Sequence, residues 1–164
     1  MDREAEFRDL FADQYAPVVG TVFMIVQDQA RAEELAQDAF TQLLAHWKRV
    51  SGYEQPEAWV RRVAIRLAVR SARRDQQLRV AMARMRPQPV APPDAVVSAE
   101  VLAAVRALSP KERAVVVLFY FEDRPVAEIA EILDCSESAA AMRLKRARER
   151  LAVTLSEEVD SHVG

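Results

Sequence analysis

The side chains best suited to chemistry in this sequence are arginines and lysines, which gather in two blocks. Residues 56–86 hold nine basic and two acidic residues, a net charge of +7, and residues 136–151 hold five basic and two acidic, a net charge of +3. The whole chain nevertheless carries −2, because acidic segments separate the blocks. Guanidinium and ammonium groups bind phosphates and, on a helix, reach the base edges of DNA. The blocks therefore indicate two anion-binding surfaces, with nucleic acid as the expected anion.

Residues for catalysis or metal binding do not occur at usable spacing. The sequence has no glycine-rich phosphate loop and no nucleophile near a suitable base. Its single cysteine, Cys135, cannot form an internal disulfide or hold a metal alone, and there are only two histidines. We therefore expect neither an enzyme nor a bound cofactor or metal.

The second basic block ends a pattern of three short helices. Residues 109–112, Ser-Pro-Lys-Glu, form a capping box with proline at the first helical position, and this helix should run to about Phe121. Residues 123–125, Asp-Arg-Pro, start a second helix with apolar residues at helical spacing. A tight turn at residues 134–135 precedes Ser136, which can cap the third helix. This pattern predicts a helix-turn-helix.

The third predicted helix has one apolar and one basic face. Its apolar residues, which can rest on the domain, recur at about 100° per residue and are Ala140, Leu144, Ala147 and Leu151. Such a helix suits the major groove, although a solvated charged surface is the plainer alternative. The predicted DNA-facing residues are Ser138, Ala139, Met142, Arg143, Lys145, Arg146 and Arg150.

The first basic block lies on a helix that begins at Pro56. Trp59, Val63 and Leu67 form its predicted apolar side. So many arginines repel one another unless an anion lies against them, and phosphate is the expected partner. A membrane-surface helix is the alternative, but its apolar side is modest. The arginines around this helix are Arg61, Arg62, Arg66, Arg70, Arg73 and Arg74.

Two helices are predicted before this block. The first covers residues 3–15 and restarts at Pro17; a polar break at residues 27–29 leads to the second, residues 30–48. The apolar stripe of the second helix contains Leu35, Ala39, Phe40, Leu43, Leu44 and Trp47. Its polar face holds Glu33, Glu34, Gln37, Asp38 and Gln42, for which the spacing alone indicates only ordinary solvation.

The composition predicts an all-α protein of two small helical domains. We place the first at residues 1–78, a proline-rich linker at 79–97, the helix-turn-helix domain at 98–155 and an acidic tail at 156–164. No run of about 18 apolar residues occurs, and the charged N-terminus lacks the apolar core of a signal peptide. We therefore expect a cytoplasmic protein without a membrane span.

From about Phe7 to Leu151 the sequence resembles the bacterial sigma factors of the extracytoplasmic-function class, within the sigma-70 family. The motifs of the first domain are LF at 10–11, Tyr15, PVV at 17–19, AEELAQDAF at 32–40 and PEAWV at 56–60. Those of the second are LSPKER at 108–113, IAEIL at 129–133 and RLKRAR at 143–148. The order of these motifs, with a proline-rich linker between them, carries the resemblance.

The resemblance implies a factor that binds core RNA polymerase and directs it to promoter DNA. The polar face from Glu33 to Gln42 would dock on the clamp of the largest polymerase subunit. The loop at residues 50–56 and the arginine-rich helix after it would read the −10 element, and the third helix of the second domain the −35 element. An anti-sigma protein is a further partner that such factors often have.

The −10 loop suggests a specific chemistry for promoter melting. Gly52 would give backbone freedom and Tyr53 a ring on which a flipped base can stack. Arg61 and Arg62 would then hold the phosphates of the separated strand. Trp59 is expected in the core rather than on a base.

The sequence departs from the family in three places. Arg66 and Arg70 replace the usual Asn and Asp after the tryptophan, Asp134 replaces the glycine of the turn, and residues 139–141 are alanines where Thr or Lys is usual. Asp tolerates the left-handed backbone better than most residues. The alanines leave fewer side chains to read bases.

Two other functions remain open at this point. A helix-turn-helix regulator that binds DNA without polymerase would explain residues 98–151 equally well, but not the first basic helix. A helical adaptor with no nucleic-acid role would leave the net charge of +7 unexplained.

Overall fold

The structure, a computed structural model, describes residues 2–82 and 97–163. Every regular element in these ranges is a helix, which confirms the predicted all-α fold. The chain divides into two compact units, Met1–Ser71 and Ala72–Gly164. The division falls before residue 78, where the sequence analysis placed the end of the first domain.

Helix α1, Arg3–Val26, is continuous, so the predicted restart at Pro17 is wrong. Proline lacks the N–H that a helical residue donates to the carbonyl four residues back. The residues that follow it are almost all buried, and their packing offsets one missing hydrogen bond. By length and composition alone, α1 is also the one helix among the described residues that could cross a membrane.

A short polar connection joins α1 to α2, Gln29–Ala45, as predicted. Gln27 takes a left-handed conformation with φ of 55°, and its N–H donates to the Phe23 carbonyl at 2.7 Å. The Asp28 carboxylate then accepts the Arg31 N–H at 3.0 Å and caps α2. α1 packs against α2 in this arrangement.

An aromatic cluster closes the first unit. The Phe7 ring meets Trp47 edge-on at 5.4 Å, and Phe11 meets Phe40 in the same way at 5.0 Å. The Trp47 indole N–H donates to the Arg3 carbonyl at 2.7 Å. Trp47 opens the short helix α3, Trp47–Val50, and its ring ties the start of α1 to the end of α2.

The predicted apolar stripe of α2 is right except at Leu44. Leu35, Ala39, Phe40, Leu43 and Trp47 are buried, whereas Leu44 is 59% exposed. The helix ends at Ala45, so the last buried residue of the stripe within α2 is Leu43, and the next, Trp47, belongs to α3.

Helix α4, Pro56–Met82, buries a different face from the one predicted. Trp59, Val63 and Leu67 are only half-buried. The buried residues lie one position further along and are Val60, Ala64, Ile65, Ala68, Val69 and Ala72. Residues 79–82, assigned to the linker by the sequence, are helical, and the predicted linker at 83–96 lies outside the described residues.

The second unit contains helices α5, Ala99–Arg106, α6, Pro110–Val116, α7, Val126–Ile132, and α8, Glu137–Val163. A π-helix, Val117–Phe121, follows α6 directly, so the helix ends at the predicted residue. Residues 156–163, predicted as a separate tail, continue α8.

The predicted serine caps and the turn of the second unit are confirmed, whereas the Glu112 carboxylate of the predicted capping box pairs with Arg150. The Ser109 hydroxyl accepts the Glu112 N–H at 3.3 Å, and the Ser136 hydroxyl accepts the Ala139 N–H at 3.1 Å. Asp134 takes the left-handed conformation with φ of 53° that the turn requires. Two helices joined by this turn form the helix-turn-helix.

Adjacent leucines on α2 allow a matched test of this packing. We expect Leu43→Ala to lower the free energy of unfolding by about 2–5 kcal/mol, because it removes a fully buried side chain. Leu44→Ala should change it by less than about 0.5 kcal/mol. Both tryptophans, Trp47 and Trp59, lie in the first unit, so urea unfolding followed by tryptophan fluorescence reports on it directly. Equal losses for the two variants would contradict the packing described here.

Candidate nucleic-acid interface

The outer face of α8 is arranged as the sequence predicted. Ala140, Leu144 and Ala147 are buried, and α8 packs against α5, α6 and α7 through this side. Of the predicted DNA-facing residues, Ala139 and Arg143 are half-buried, while the exposed ones are Ser138, Met142, Lys145, Arg146 and Arg150. Alanines at the buried contacts let the helix backbone lie close to its neighbours, so that the longer side chains project outward.

Arg150 has a structural partner that the sequence analysis did not foresee. Its Nη1 donates to both carboxylate oxygens of Glu112, each at 3.1 Å. The Glu112 side chain is only 10% exposed, whereas that of Arg150 is 58% exposed. A carboxylate with so little access to water needs a cation nearby. Arg150 meets this need, and its predicted contact with DNA stays a prediction that competes with the ion pair.

Arg113, the neighbour of Glu112, is a buried arginine. Its Nε donates to the Leu108 carbonyl at 3.1 Å. The pKa of Arg113 is lowered to about 10, mainly by burial and further by the charges of Arg79 and Arg106, while the charge of Asp75 raises it. The group remains protonated at neutral pH and belongs to the interior of the second unit.

The arginine-rich surface of α4 lies on the side away from the core. Arg62, Arg66, Arg70, Arg73 and Arg74 are all exposed. Arg61 is half-buried, and its Nη2 donates to the Gln14 amide oxygen of α1 at 2.9 Å. This bond orients the guanidinium of Arg61. α4 therefore presents a basic face with one arginine fixed at its N-terminal part.

The loop before α4 is a compact turn. The Gly52 N–H donates to the Arg49 carbonyl at 3.2 Å and the Tyr53 N–H to the Val50 carbonyl at 2.9 Å. Gly52 does not have a positive φ, so this turn does not require glycine for its conformation, and the predicted backbone freedom of Gly52 stays a prediction. Tyr53 is 45% exposed and available for stacking. Trp59 is half-buried, with its ring 5.5 Å from His46.

The predicted polar face of α2 is solvent-exposed at all five positions, Glu33, Glu34, Gln37, Asp38 and Gln42. Gln29 donates to Glu33 at 3.2 Å, and Arg31 pairs with Glu34 at 3.4 Å. The Gln37 amide donates to the Tyr15 hydroxyl of α1 at 3.2 Å. These contacts leave an acidic and amide surface on which Gln37 has a fixed orientation.

Two models of one protein family match successive parts of the chain. Sigma-70 region 2 matches residues 10–78, and Sigma-70, region 4 matches residues 98–151. The chain belongs to the sigma-70 family. The resemblance to sigma factors of this family that was drawn from the sequence is thereby confirmed. The region 2 match also disfavours a helix-turn-helix regulator that acts without polymerase.

The chain is also similar to individual sigma factors, one in sequence and one in fold. The chain is 30% identical over 159 residues to the probable RNA polymerase sigma factor RfaY of Xanthomonas campestris pv. campestris; the match covers 88% of this chain but 39% of that protein. The chain thus spans about two fifths of the length of this relative. Its fold is similar to the sigma factor RpoE of Bartonella quintana, solved with the anti-sigma factor NepR. The TM-score is 0.74 at 17% identity, with 92% of this chain and 97% of that chain covered.

The ion pair between Glu112 and Arg150 generates a stability prediction. Arg150→Met should lower the free energy of opening of α6 and α8 by about 1–3 kcal/mol, because it leaves a mostly buried carboxylate without its cation. Arg146→Met, an exposed arginine on the same helix, should change it by less than about 0.5 kcal/mol. Amide hydrogen exchange of α6 and α8 measures the second unit alone. Unchanged protection in Arg150→Met would show that the pair contributes nothing to stability.

Proposed function

We propose that this protein is a sigma factor that binds core RNA polymerase and directs promoter-specific initiation of transcription. The observation that carries the proposal is the presence in one chain of a region 2 match and a region 4 match, each with an exposed basic helix face. The family acts through binding rather than catalysis, so we assign the protein no enzymatic activity and no cofactor, and we place it in the cytoplasm with its polymerase.

We assign recognition of the −35 element to α8. Arg143 is half-buried on the N-terminal half of the helix, where recognition helices touch base edges. Lys145 and Arg146 are exposed and suited to phosphates. Ala139 and Ala141, on either side of the buried Ala140, leave room for the backbone to approach the groove but offer no polar side-chain groups to bases. Sequence discrimination would therefore depend on few side chains.

We assign melting of the −10 element to α4 and its preceding loop. Tyr53 is exposed and can stack on an extruded base. The Gln14 bond holds Arg61 in one orientation at the start of the helix, where it would meet a phosphate of the separated strand. The exposed arginines further along α4 would follow the backbone of the separated strand. Base capture and phosphate binding would thus be adjacent in this unit.

We assign polymerase binding to the exposed polar face of α2, with the clamp of the largest subunit as its target. Asp38 and Gln37 lie on this face, and the opposite side of the helix is filled by Leu35, Phe40 and Leu43. An anti-sigma protein is a further proposed partner, supported by the complex in which the similar Bartonella quintana factor was solved.

Transcription with purified components tests the proposed function. Core polymerase and this protein should together produce run-off transcripts from a subset of a promoter pool, and sequencing the active templates should reveal shared −35 and −10 elements. Core polymerase alone should not produce these transcripts. Duplex DNA binding without any promoter-specific initiation would favour a regulator that acts without polymerase.

The polymerase surface is tested by charge reversal. Asp38→Arg should weaken capture of core polymerase by about tenfold or more, because like charge at a complementary interface is unfavourable. Asp9→Arg, at an exposed position of α1, is the matched control and should bind as wild type does. A pull-down in which both variants retain core polymerase equally would remove α2 from the proposed interface.

The melting role is tested at Tyr53. Tyr53→Ala should slow open-complex formation while sparing capture of core polymerase, because base–aromatic stacking is worth about 1–3 kcal/mol. Tyr53→Phe keeps the ring and should melt promoters at nearly the wild-type rate. A template already mismatched at −10 should restore much of the activity of Tyr53→Ala. If Tyr53→Ala melts duplex promoters as wild type does, the loop is only a connector.

A further inference from the structure

Arg148 of α8 has an unusual environment that the sequence did not indicate. Its Nε donates to the Tyr120 hydroxyl at 2.6 Å. Its guanidinium carbon lies 5.0 Å from the centroid of the Phe119 ring and 5.6 Å from that of Tyr120. Arg148 is exposed, yet three contacts to neutral aromatic groups fix its position. We call these two rings the aromatic platform.

The aromatic platform is a product of the π-helix. The segment Val117–Phe121 forms wider turns than an α-helix, and the Glu122 N–H donates to the Val117 carbonyl at 3.2 Å, five residues back. Val117 and Leu118 are buried, whereas Tyr120 is 49% exposed. The rings of Phe119 and Tyr120 stand nearly perpendicular, with 79° between their planes and 5.0 Å between centroids. π-helical turns are rare and occur frequently at functional sites.

The partners of Arg148 differ in charge from those of Arg150 and Arg124 in this unit. Arg150 pairs with the Glu112 carboxylate at 3.1 Å, and Arg124 with the Glu128 carboxylate at 3.0 Å. A carboxylate offsets the charge of an arginine, whereas a phenol and two ring faces orient the guanidinium and leave its full charge available to an anion. A fixed side chain also loses less conformational entropy when it binds.

The position of Arg148 on α8 indicates which kind of anion it would bind. It lies three residues after Lys145, and residues at this spacing are neighbours on a helix surface. Lys145 and Arg146 are exposed on the same helix, whose segment 136–151 carries a net charge of +3. A run of fixed negative charge, as on a DNA strand, matches this arrangement better than a single acidic side chain does.

We infer that Arg148 is a DNA phosphate-binding residue, that Phe119 and Tyr120 are its positioning residues, and that Arg150 is a structural residue rather than a phosphate contact. The inference rests on the proposed function and deepens it, because it changes the set of side chains that contact the DNA backbone beside the −35 element.

The salt dependence of DNA binding tests this inference. The full chain is titrated against a fluorescent 30-base-pair duplex at several salt concentrations, since phosphate contacts do not require a particular sequence. Arg148→Ala should reduce the slope of log K against log salt by about 0.9 and weaken binding roughly five- to tenfold at about 0.1 M salt. Arg8→Ala, at an exposed position of α1 outside the two basic helix faces, is the matched control and should leave this slope unchanged. Arg150→Ala tests the structural assignment of Arg150 and should also leave the slope unchanged.

Two further variants test the aromatic platform. Tyr120→Leu removes one ring and the hydroxyl, and it should weaken binding about two- to threefold with an unchanged salt slope, because the charge remains but is no longer held in place. Tyr120→Phe should recover part of this loss, since the ring face remains. A merely structural role for Tyr120 would instead reduce the hydrogen-exchange protection of α8 in both variants.

The outcomes separate this inference from the proposed function. A wild-type slope and affinity in Arg148→Ala would overturn the inference, as would a slope reduced equally by Arg150→Ala. If Arg148→Ala kept its slope but lost capture of core polymerase, Arg148 would contact a protein instead of DNA. Failure of the wild-type protein to support promoter-specific transcription would remove the proposed function and leave the slope comparison intact.

Discussion

A guanidinium group keeps its charge at every physiological pH, so the charge of the protein group that it contacts decides how much of that charge remains for function. Glu112 offsets the charge of Arg150 at the contact between α6 and α8. The aromatic platform is neutral, and it orients Arg148 without offsetting its charge. The structure thereby separates arginines that stabilise helix packing from arginines that can meet an anion.

Close packing of small residues makes this separation possible. Ala140 and Ala147 on α8, and Ala64 and Ala68 on α4, are essentially inaccessible to solvent. Alanine at a helix contact allows the backbones to approach each other, and it lets a helix rich in arginine be held by a narrow apolar face. The remaining circumference of each helix is then available to charged side chains, as the exposed arginines of α4 demonstrate.

Local signals in the sequence were sufficient for much of this fold. The serine caps, the turn at Asp134 and the apolar face of α8 each depend on neighbouring residues, and the structure agrees with them. The predictions were wrong where contacts between residues that are distant in the sequence determine the structure. α1 continues through Pro17 because the residues after it are buried, and α4 rotates its core side by one position to bury small alanines beside Val60.

Prediction of the candidate site from the sequence had the same limit. The sequence marked the basic faces of α4 and α8, but it could not show which partner each arginine would have. Arg150 and Glu112 are 38 residues apart, and Arg148 and Tyr120 are 28 apart. The π-helix that brings Phe119 and Tyr120 beside Arg148 is only five residues long, which is too short to give a periodic pattern in the sequence. A pattern of charge therefore predicted the surfaces, whereas the roles of individual arginines required the tertiary structure.

The positions of the acidic residues explain how a chain with a net charge of −2 can present basic surfaces. Acidic side chains occupy the first turns of six helices, namely those of Glu4, Glu57, Glu100, Glu112, Glu128 and Glu137. Carboxylates there stabilise the unpaired N–H groups and the positive end of each helix dipole. Placed at the helix starts, they support the fold, and Glu112 among them also pairs with Arg150 of α8. The net charge of the whole chain is consequently a poor guide to what its surfaces bind, because it does not show where the acidic and the basic side chains lie.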